Sequence, residues 1–464
     1  MVCVCMCVCV CVRVVTCLRM LDVRVSSCHV REQDNNALSR GVQFCIDEVN
    51  RNGGLRVTNS EGESVGLMMS LNALNGSLSS ITEELCISVE EAQSGIPAET
   101  LVEQQIIENS YVQLVENGTD ALIGPFSSLY TFNASAAVNG TELFFATQAA
   151  AASLYNRSIE SFYGVLPRTQ ILVGKSGIFQ ILASQNTNGG GSVRFGLTYE
   201  STDPFGTEAC MAAYDEVLDS GGEVQNYESF SDTLAVGQSA FSSLENLVRR
   251  WISQDPIVDV FVLCGLPDLF PQIRGIFSTQ RPKFKAGVFI GGLDQDELFD
   301  FTANVGWINT NLWLASMPLP LAPESVQYEG IEAFTTPKAY NRSFYKQYKY
   351  APGEEEAVGT AACLLFVTAA EMAASIEKED VDAAMATLDI TNFWGRNKME
   401  DGPIYKNNNI GKKTNGIQYT TTSATSGEPL FLQVSAPSEI QVRYQKHART
   451  IRTHTETSSI HLDS

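Results

Sequence analysis

Histidine is scarce in this sequence, which limits the chemistry that the chain can perform. Its 464 residues include four histidines, at His29, His447, His454 and His461. All four lie outside the segments that we predict to form the core. Because histidine is the usual base near neutral pH and a common zinc ligand, the sequence argues against histidine-based catalysis and a histidine-ligated metal.

Basic charge is also in short supply. Lys and Arg number 31 against 53 Asp and Glu, which gives a formal net charge of -22. Such a charge repels phosphate backbones and anionic lipid surfaces, so a nucleic-acid partner is not expected. The acidic residues are spread along the chain, which predicts a solvated surface.

Several motifs of enzymes and membrane proteins are missing. No apolar run of about 18 residues occurs, which predicts no membrane span. The Gly-Gly-Gly-Ser run at 189–192 is not followed by Gly-Lys-Ser/Thr, so it is not a phosphate loop. Asp294 and Asp296 lack the spacing of calcium ligands, and a polar ligand contact or a solvated turn is the alternative. No cofactor is predicted, and the chain is not expected to be an enzyme.

The twelve cysteines fall into two groups. Five of them, at positions 3, 5, 7, 9 and 11, alternate with Val or Met. Because a repeated GT dinucleotide encodes this pattern, residues 1 to about 17 are interpreted as translated microsatellite. The rival interpretation is the apolar part of a signal peptide. The other seven have no Cys-x-x-Cys spacing, which argues against zinc and a redox pair, and most are expected to be small core residues.

Helix-like and strand-like apolar patterns alternate from Ala37 onwards. Helices are predicted over 37–50, 171–184, 239–252, 344–350, 357–374 and 381–388, and strands over 64–71, 121–123, 143–146, 193–199, 258–263 and 287–290. Alternation of this kind favours parallel sheets with helices on both faces. The pattern starts afresh after Pro167, so the predicted fold is α/β with two doubly wound lobes.

Two of these strands end in turns of small residues. Ala121–Ile123 is followed by Ser127 and Ser128, and Leu143–Ala146 by Gln148 and Ala149. Ligands of open α/β sheets bind at the carboxyl ends of the strands, and a helix that begins there can hold an anion on its free N–H groups. The alternative is that the two serines only cap a helix.

The sequence resembles the type 1 periplasmic binding proteins, a family that includes leucine-binding proteins and receptor ligand-binding domains. The resemblance covers about residues 37–434 in the order of the elements. It rests on the segments 41–54, 121–128, 194–206, 393–395 and 402–405. It implies two lobes joined by three crossings, near 163, 318 and 392, that clamp a ligand.

The resemblance also implies roles for single residues. Ser128 is similar to the hydroxyl donor for a ligand carboxylate, Gln148 and Ala149 to the neighbouring backbone contacts, and Phe205 to an aromatic cover from the second lobe. The full predicted ligand-binding set is Ser127, Ser128, Gln148, Ala149, Tyr199, Phe205 and Asp294.

This sequence departs from the family at three points. Ala150 replaces a threonine of the amino-acid binders, and Leu293 replaces the acid that holds an ammonium group, so an α-amino acid ligand is not favoured. The first strand of the first lobe is also missing, since the alternation of Leu21, Val23 and Val25 with charged residues suits an exposed edge.

The domain boundaries follow from these crossings. Residues 1–33 are expected to be a non-native or targeting segment, 34–163 with 319–392 the first lobe, 164–318 with 393–434 the second, and 435–464 a disordered tail. The expected location is extracellular or periplasmic, with a membrane tether conceivable in a longer gene product.

The favoured function is an extracytoplasmic domain that clamps a small polar solute, such as an amino acid, amide or related carboxylate. It would serve as a solute-binding protein in transport or as a receptor ectodomain in signalling. An enzyme on a doubly wound fold is the alternative. The expected partners are the small-molecule ligand and a membrane receptor or transporter component, with a homodimer through lobe 1 as a further option.

The sequence also contains six Asn-x-Ser/Thr sequons, which favour a secreted or lumenal glycoprotein. They begin at Asn75, Asn117, Asn133, Asn139, Asn156 and Asn341. Asn133 and Asn139 follow the first of the two central strands, beside a helix, and are expected to be surface sites.

Overall fold

The computed structural model describes most of the chain between the first strand and the last. The described residues are 14–15, 20–21, 25–26, 32–69, 98–116, 118–125, 127–157, 159–174, 176–184, 191–230, 240–265, 269–280, 282–291, 312–316, 328–402, 404–411, 415–421 and 429–434. The chain divides into two compact units. The first comprises Met1–Thr169, Thr202–Phe205 and Pro318–Lys412, and the second Gln170–Ser201, Gly206–Met317 and Lys413–Ser464.

The first unit is built on a parallel four-stranded sheet. Its strands, in spatial order, are β3 (Val25–Ser26), β6 (Ala121–Ile123), β7 (Leu143–Ala146) and β8 (Phe162–Gly164). The three longer strands are buried throughout, as expected for a parallel sheet covered on both faces. Two hairpins precede them in the chain, β1 (Val14–Val15) with β2 (Met20–Leu21), and β4 (Leu55–Thr58) with β5 (Ser64–Leu67).

The strand that the sequence reasoning considered missing is β3. Val25 pairs in parallel with Ala121, and Ser26 with Leu122. The strand lies at the edge of the described sheet, as the charged alternation suggested, yet it runs parallel to its neighbour. Its two residues are too few to produce an apolar run, which explains why the pattern missed it.

Among the described residues, the first unit has seven α-helices. They are α1 (Glu32–Arg51), α2 (Ala98–Glu116), α3 (Ser128–Val138), α4 (Ala152–Tyr155), α10 (Pro337–Tyr348), α11 (Glu354–Ala373) and α12 (Lys378–Thr387). A 3-10 turn, Glu332–Phe334, precedes α10. Helix α10 begins seven residues before the predicted start at 344, because Thr336 caps it and Pro337 occupies its first turn.

Helices α1 and α11 pack closely through glycines. A Cβ atom on Gly41 would lie 2.0 Å from the backbone oxygen of Glu356, and one on Gly359 would lie 2.4 Å from that of Leu38. The Thr360 hydroxyl donates to the backbone oxygen of Gly41 at 2.8 Å. This approach brings together two segments that are more than 300 residues apart in the chain.

One turn along the same helices, Cys45 and Cys363 form a disulfide. The expectation that most cysteines are small core residues holds for Cys210 and Cys264, which are buried and form no disulfide. The sequence analysis did not foresee the pairing, because residues 318 apart have no spacing that signals it.

Among the described helices, α11 alone is long and apolar enough to cross a membrane. Its most apolar 18-residue stretch is 83% buried inside the fold. A helix that is buried to this extent is a core helix, and α11 belongs to the core of the first unit.

The second unit has a seven-stranded sheet, in the order β10, β9, β11, β12, β13, β17, β18. These strands are β9 (Arg194–Glu200), β10 (Glu223–Phe230), β11 (Val260–Cys264), β12 (Ala286–Ile290), β13 (Leu312–Ser316), β17 (Asn415–Thr421) and β18 (Pro429–Val434). The first five pair in parallel, and β17 and β18 add antiparallel pairs. Its helices are α5 (Thr169–Gly174), α6 (Ile178–Ala183), α7 (Pro204–Asp219), α8 (Ala240–Ile252) and α9 (Leu269–Gln280).

A third sheet consists of β14 (Asp389–Asn392), β15 (Gly395–Asp401) and β16 (Lys406–Asn409). It groups with the first unit, whose last segment ends at Lys412, and the predicted crossing near 392 stays a prediction. Buried Asn409 links this sheet to the rest of the first unit, because its amide donates to the backbone oxygen of Val165 at 3.1 Å and to Asn397 at 3.0 Å. The sequence segments 393–395 and 402–405, on which the resemblance rested here, give no sign of these hydrogen bonds.

Candidate functional site

The turn after β6 holds Ser127 in an unusual backbone conformation. Its φ of 75° and ψ of 152° lie in a region that side-chain-bearing residues rarely adopt. The Ser127 hydroxyl accepts a hydrogen bond from the Tyr130 amide at 3.4 Å, and its backbone oxygen accepts one from the Thr131 hydroxyl at 2.8 Å. Ser127 is thus the N-cap of α3, as the capping alternative predicted.

Ser128 does more than begin the helix. Its hydroxyl oxygen accepts hydrogen bonds from the amides of Ala150 and Ala151, at 3.2 and 3.1 Å. These two bonds occupy both lone pairs of the oxygen, so the group that Ser128 can still offer is its hydroxyl hydrogen. Ser128 is itself buried.

The turn after β7 lies directly against the first one. The Thr147 hydroxyl donates to the backbone oxygen of Gly124 at 3.1 Å, and the Tyr155 hydroxyl donates to that of Ala149 at 2.7 Å. Ala149 is fully buried, whereas Gln148 is half-buried. The two turns therefore form one hydrogen-bonded edge, from which the Gln148 side chain reaches solvent.

This edge suits an anion. The first amides of an α-helix have no partner inside the helix and carry a partial positive charge, and α3 presents that end here. The donors are backbone amides and a serine hydroxyl, which bind a carboxylate without a basic side chain. Tyr155 stays a neutral phenol, since burial raises its pKa above the ordinary value.

The remaining predicted residues are placed less closely. Tyr199 lies in β9 of the second unit, where its ring centroid is 5.4 Å from that of Tyr227. Phe205 is buried at the start of α7, and its amide donates to Asp203 at 3.1 Å. It groups with the first unit. The resemblance implied an aromatic cover from the second lobe, and that role stays a prediction. Asp294 lies outside the described residues. Ser127, Ser128, Gln148 and Ala149 are thus brought together, and the roles of the other three stay predictions.

Sequence reasoning missed the partners of Ser128. The amides of Ala150 and Ala151 are backbone groups, so no residue pattern marks them. It also missed Arg168, whose guanidinium lies 4.2 Å from the centre of the Tyr405 ring and pairs with Glu400 at 3.3 Å. Arg168 meets Tyr405 and Glu400 only because β8 approaches β15 and β16 in the folded structure, so the sequence gives no sign of these contacts.

Three solved structures show the same arrangement of elements over most of their length. A type 1 periplasmic binding protein from Bordetella pertussis matches with a TM-score of 0.57 and 12% identity, over 88% of this chain and 98% of its own. The fold is that of the type 1 periplasmic binding proteins. A leucine-binding protein from Thermotoga maritima has a TM-score of 0.57 and 12% identity, over 89% and 97% of the two chains.

The third structure is a solute-binding protein of an ABC transporter from R. palustris in complex with benzoate. Its TM-score is 0.55 at 14% identity, over 89% of this chain and 96% of its own. No family model matches the sequence. No curated protein matches it either. The predicted fold class is confirmed, with two α/β units of the type 1 periplasmic binding kind.

Proposed function

We propose that this protein is an extracytoplasmic solute-binding domain that holds the carboxylate of a small ligand at the turns after β6 and β7. The observation that carries the proposal is the Ser128 hydroxyl, whose two accepted hydrogen bonds leave its hydrogen for an incoming acceptor. A carboxylate accepts such a bond strongly, because its negative charge shortens and strengthens it.

The ligands of the structural neighbours support a carboxylate. Those structures contain leucine, isoleucine, benzoate and 3,4-dihydroxybenzoic acid. These molecules differ in size and in whether they carry an ammonium group, but all have a carboxyl group. The proposal therefore commits to the carboxylate, the group that these ligands share.

The proposed location outside the cytoplasm has support from the first unit. Buried disulfides such as Cys45–Cys363 persist in oxidising compartments and are rare in the cytosol of mesophiles. The neighbours, named as substrate-binding proteins of transporters, agree with that location. The proposal also includes a role beside a transporter or as a receptor ectodomain. It further includes closure of the two lobes around the ligand, with Tyr199, Phe205 and Asp294 as contacts.

The test begins with a thermal-shift screen of benzoate, 3,4-dihydroxybenzoate, leucine and isoleucine. Benzamide, a neutral match for benzoate, serves as the control for the charge. At about 100 times its dissociation constant a ligand stabilises the folded state by roughly 2.7 kcal/mol, which a melting curve detects. Shifts from carboxylates alone support the proposal, and equal shifts from benzoate and benzamide would refute the carboxylate site.

Ser128→Ala then tests the residue itself. Loss of a hydrogen bond to a charged group should weaken binding by about 1.5 to 3 kcal/mol, measured by calorimetry at a temperature where every variant is folded. The control is Ser110→Ala, a buried serine on α2 whose hydroxyl donates to the Ile106 backbone at 2.7 Å. Wild-type affinity in Ser128→Ala would place the ligand elsewhere.

A further inference from the structure

The structure separates the sequons by their surroundings. Side chains are described at Asn133, Asn139, Asn156 and Asn341, and the last three are exposed. Asn75 and Asn117 lie outside the described residues. The clearest contrast is between Asn133 and Asn139, which are six residues apart on one helix and its cap.

Asn133 is engaged in helix packing. Its amide nitrogen donates to the Glu108 carboxylate on α2 at 2.7 Å, so the atom that a glycan would occupy is already bonded across the α2–α3 contact. The third sequon residue, Ser135, is fully buried and accepts a hydrogen bond from Arg157 at 3.3 Å. A glycan on Asn133 would replace one of the two hydrogens of this amide nitrogen and would have to fit against the α2–α3 contact. Asn133, expected from the sequence to be a surface site, is therefore the less accessible of the two.

Asn139 has the opposite surroundings. It is the C-cap of α3, with φ 41° and ψ 45°, and its backbone amide donates to Ser135 at 3.0 Å. Gly140 follows with φ 74°, and Thr141 is exposed, with its hydroxyl on the backbone oxygen of Val138 at 2.8 Å. Asn139 and Thr141 are thus exposed, on a turn in which Asn139 and Gly140 both have positive φ.

The position of Asn139 also leaves the candidate ligand edge free. Helix α3 starts at Ser128, on the carboxyl edge of the sheet, and its 11 residues carry the chain to the opposite edge. At a rise of 1.5 Å per residue, Asn139 lies roughly 16 Å from Ser128 along the helix axis. A bulky solvated group there cannot reach the two ligand turns through the sheet.

We propose that Asn139 is an N-glycosylation site and that Asn133 is not, an inference that rests on the proposed extracytoplasmic location. An oligosaccharyltransferase would join the Asn139 amide nitrogen to the anomeric carbon of a lipid diphosphate-linked oligosaccharide. The bond from that carbon to the diphosphate oxygen breaks, the lipid diphosphate leaves with the bonding electrons, and the amide proton passes to the enzyme's base. Among folded molecules, we therefore expect the glycan at Asn139, where no helix packing opposes it.

The experiment expresses the full chain behind an added cleavable secretory leader in cultured insect or mammalian cells. The leader guarantees entry into the lumen, so the result does not depend on the chain's own targeting. Folded monomer from the medium is treated with peptide N-glycosidase in heavy-oxygen water, and peptide mass spectrometry then locates each tagged asparagine. Asn139→Gln and Thr141→Ala should each lower the apparent mass on a gel by one glycan, whereas Asn133→Gln should leave it unchanged.

Occupancy at Asn139 with Asn133 empty in the folded pool supports the inference. Occupied Asn133 in folded protein, an empty Asn139 beside other occupied sequons, or a chain without any glycan would each overturn it. The ligand screen runs separately on enzymatically deglycosylated protein. A positive screen with an empty Asn139 therefore overturns the glycosylation site alone, and a negative screen with an occupied Asn139 overturns only the binding proposal.

Discussion

At the scale of single residues, two carboxyl groups that each precede a strand, Asp259 and Glu142, have opposite surroundings. Asp259 precedes β11 and pairs with Arg194 at 2.9 Å and Lys285 at 2.7 Å. Burial alone would raise the pKa of Asp259, but the hydrogen bonds from these two cations outweigh it and lower the pKa to about 2. This carboxylate links the starts of three neighbouring strands in the second unit, β9, β11 and β12.

Glu142, which precedes β7, is in the opposite situation. Burial and the charge of Asp120 raise its pKa to about 7, and Lys378 offsets only part of the rise. A carboxyl group whose folded pKa exceeds its unfolded value favours folding while it is protonated. That contribution is complete below about pH 4.5 and is lost as the pH rises towards 7.

Glu142→Gln should therefore stabilise the protein at pH 8 and leave it nearly unchanged at pH 4.5. The gain should be about 1 kcal/mol, because solvent reaches half of the group and screens much of the roughly 3 kcal/mol that the shift alone would indicate. Urea unfolding at the two pH values measures it. Glu379→Gln, an exposed glutamate on α12, is the control. An equal gain at both pH values would contradict the assignment.

At the scale of elements, the contact between α1 and α11 depends on glycine. Alanine has the higher helix propensity by about 0.5 to 1 kcal/mol, so Gly41→Ala would be stabilising on an isolated helix. Here the added methyl would lie 2.0 Å from a backbone oxygen that cannot move without its helix. We expect a net loss of about 1 to 3 kcal/mol in thermal unfolding, the usual range for overpacking.

Ser39→Ala, on the same helix, provides the comparison for Gly41→Ala. It removes a small polar atom and introduces no contact at the glycine. A Gly41→Ala variant as stable as Ser39→Ala would show that the helices can separate at little cost.

The short strand β3 leads to a second prediction for an element. Deleting residues 1–17 removes β1, which pairs only with β2 in the described sheets, and keeps Val25–Ser26 paired with β6, so the melting temperature should stay within a degree or two of that of the full chain. Deleting 1–33 removes β3 and the first two residues of α1, and we expect a lower melting temperature because β6 loses a neighbour. Equal melting of both truncations would make β3 dispensable.

The sequence predicted the elements that have a strong period or a sharp end, such as β6, β7, β9 and α8. It also placed Ser128 at the carboxyl end of β6, since a Gly-Pro turn after a buried strand leaves few alternatives. It failed where the decisive contact joins distant segments: Asn409 with Val165, Cys45 with Cys363, and Asn133 with Glu108. None of these pairs has a local signature, because each depends on how whole helices and strands pack.

At the scale of the whole molecule, the disulfide joins two distant parts of the chain that both belong to the first unit. Replacing both cysteines by alanine should cost the first unit about 2 to 5 kcal/mol, since the unfolded chain is no longer restrained. The second unit keeps its own sheet and core, so calorimetry should show the first transition moving to lower temperature while the second stays in place. A uniform shift of both transitions would mean that the units unfold together.

The same bond has a consequence for proteolysis. It closes a ring of chain that includes every segment between Cys45 and Cys363, and so the second unit up to Met317 but not its last segment, Lys413–Ser464. A single cut anywhere in that ring leaves the two fragments covalently joined. Nicked protein should run as one band on a gel without reductant and as two bands with it, so a protease acting outside the cell could cut this chain once without releasing either half.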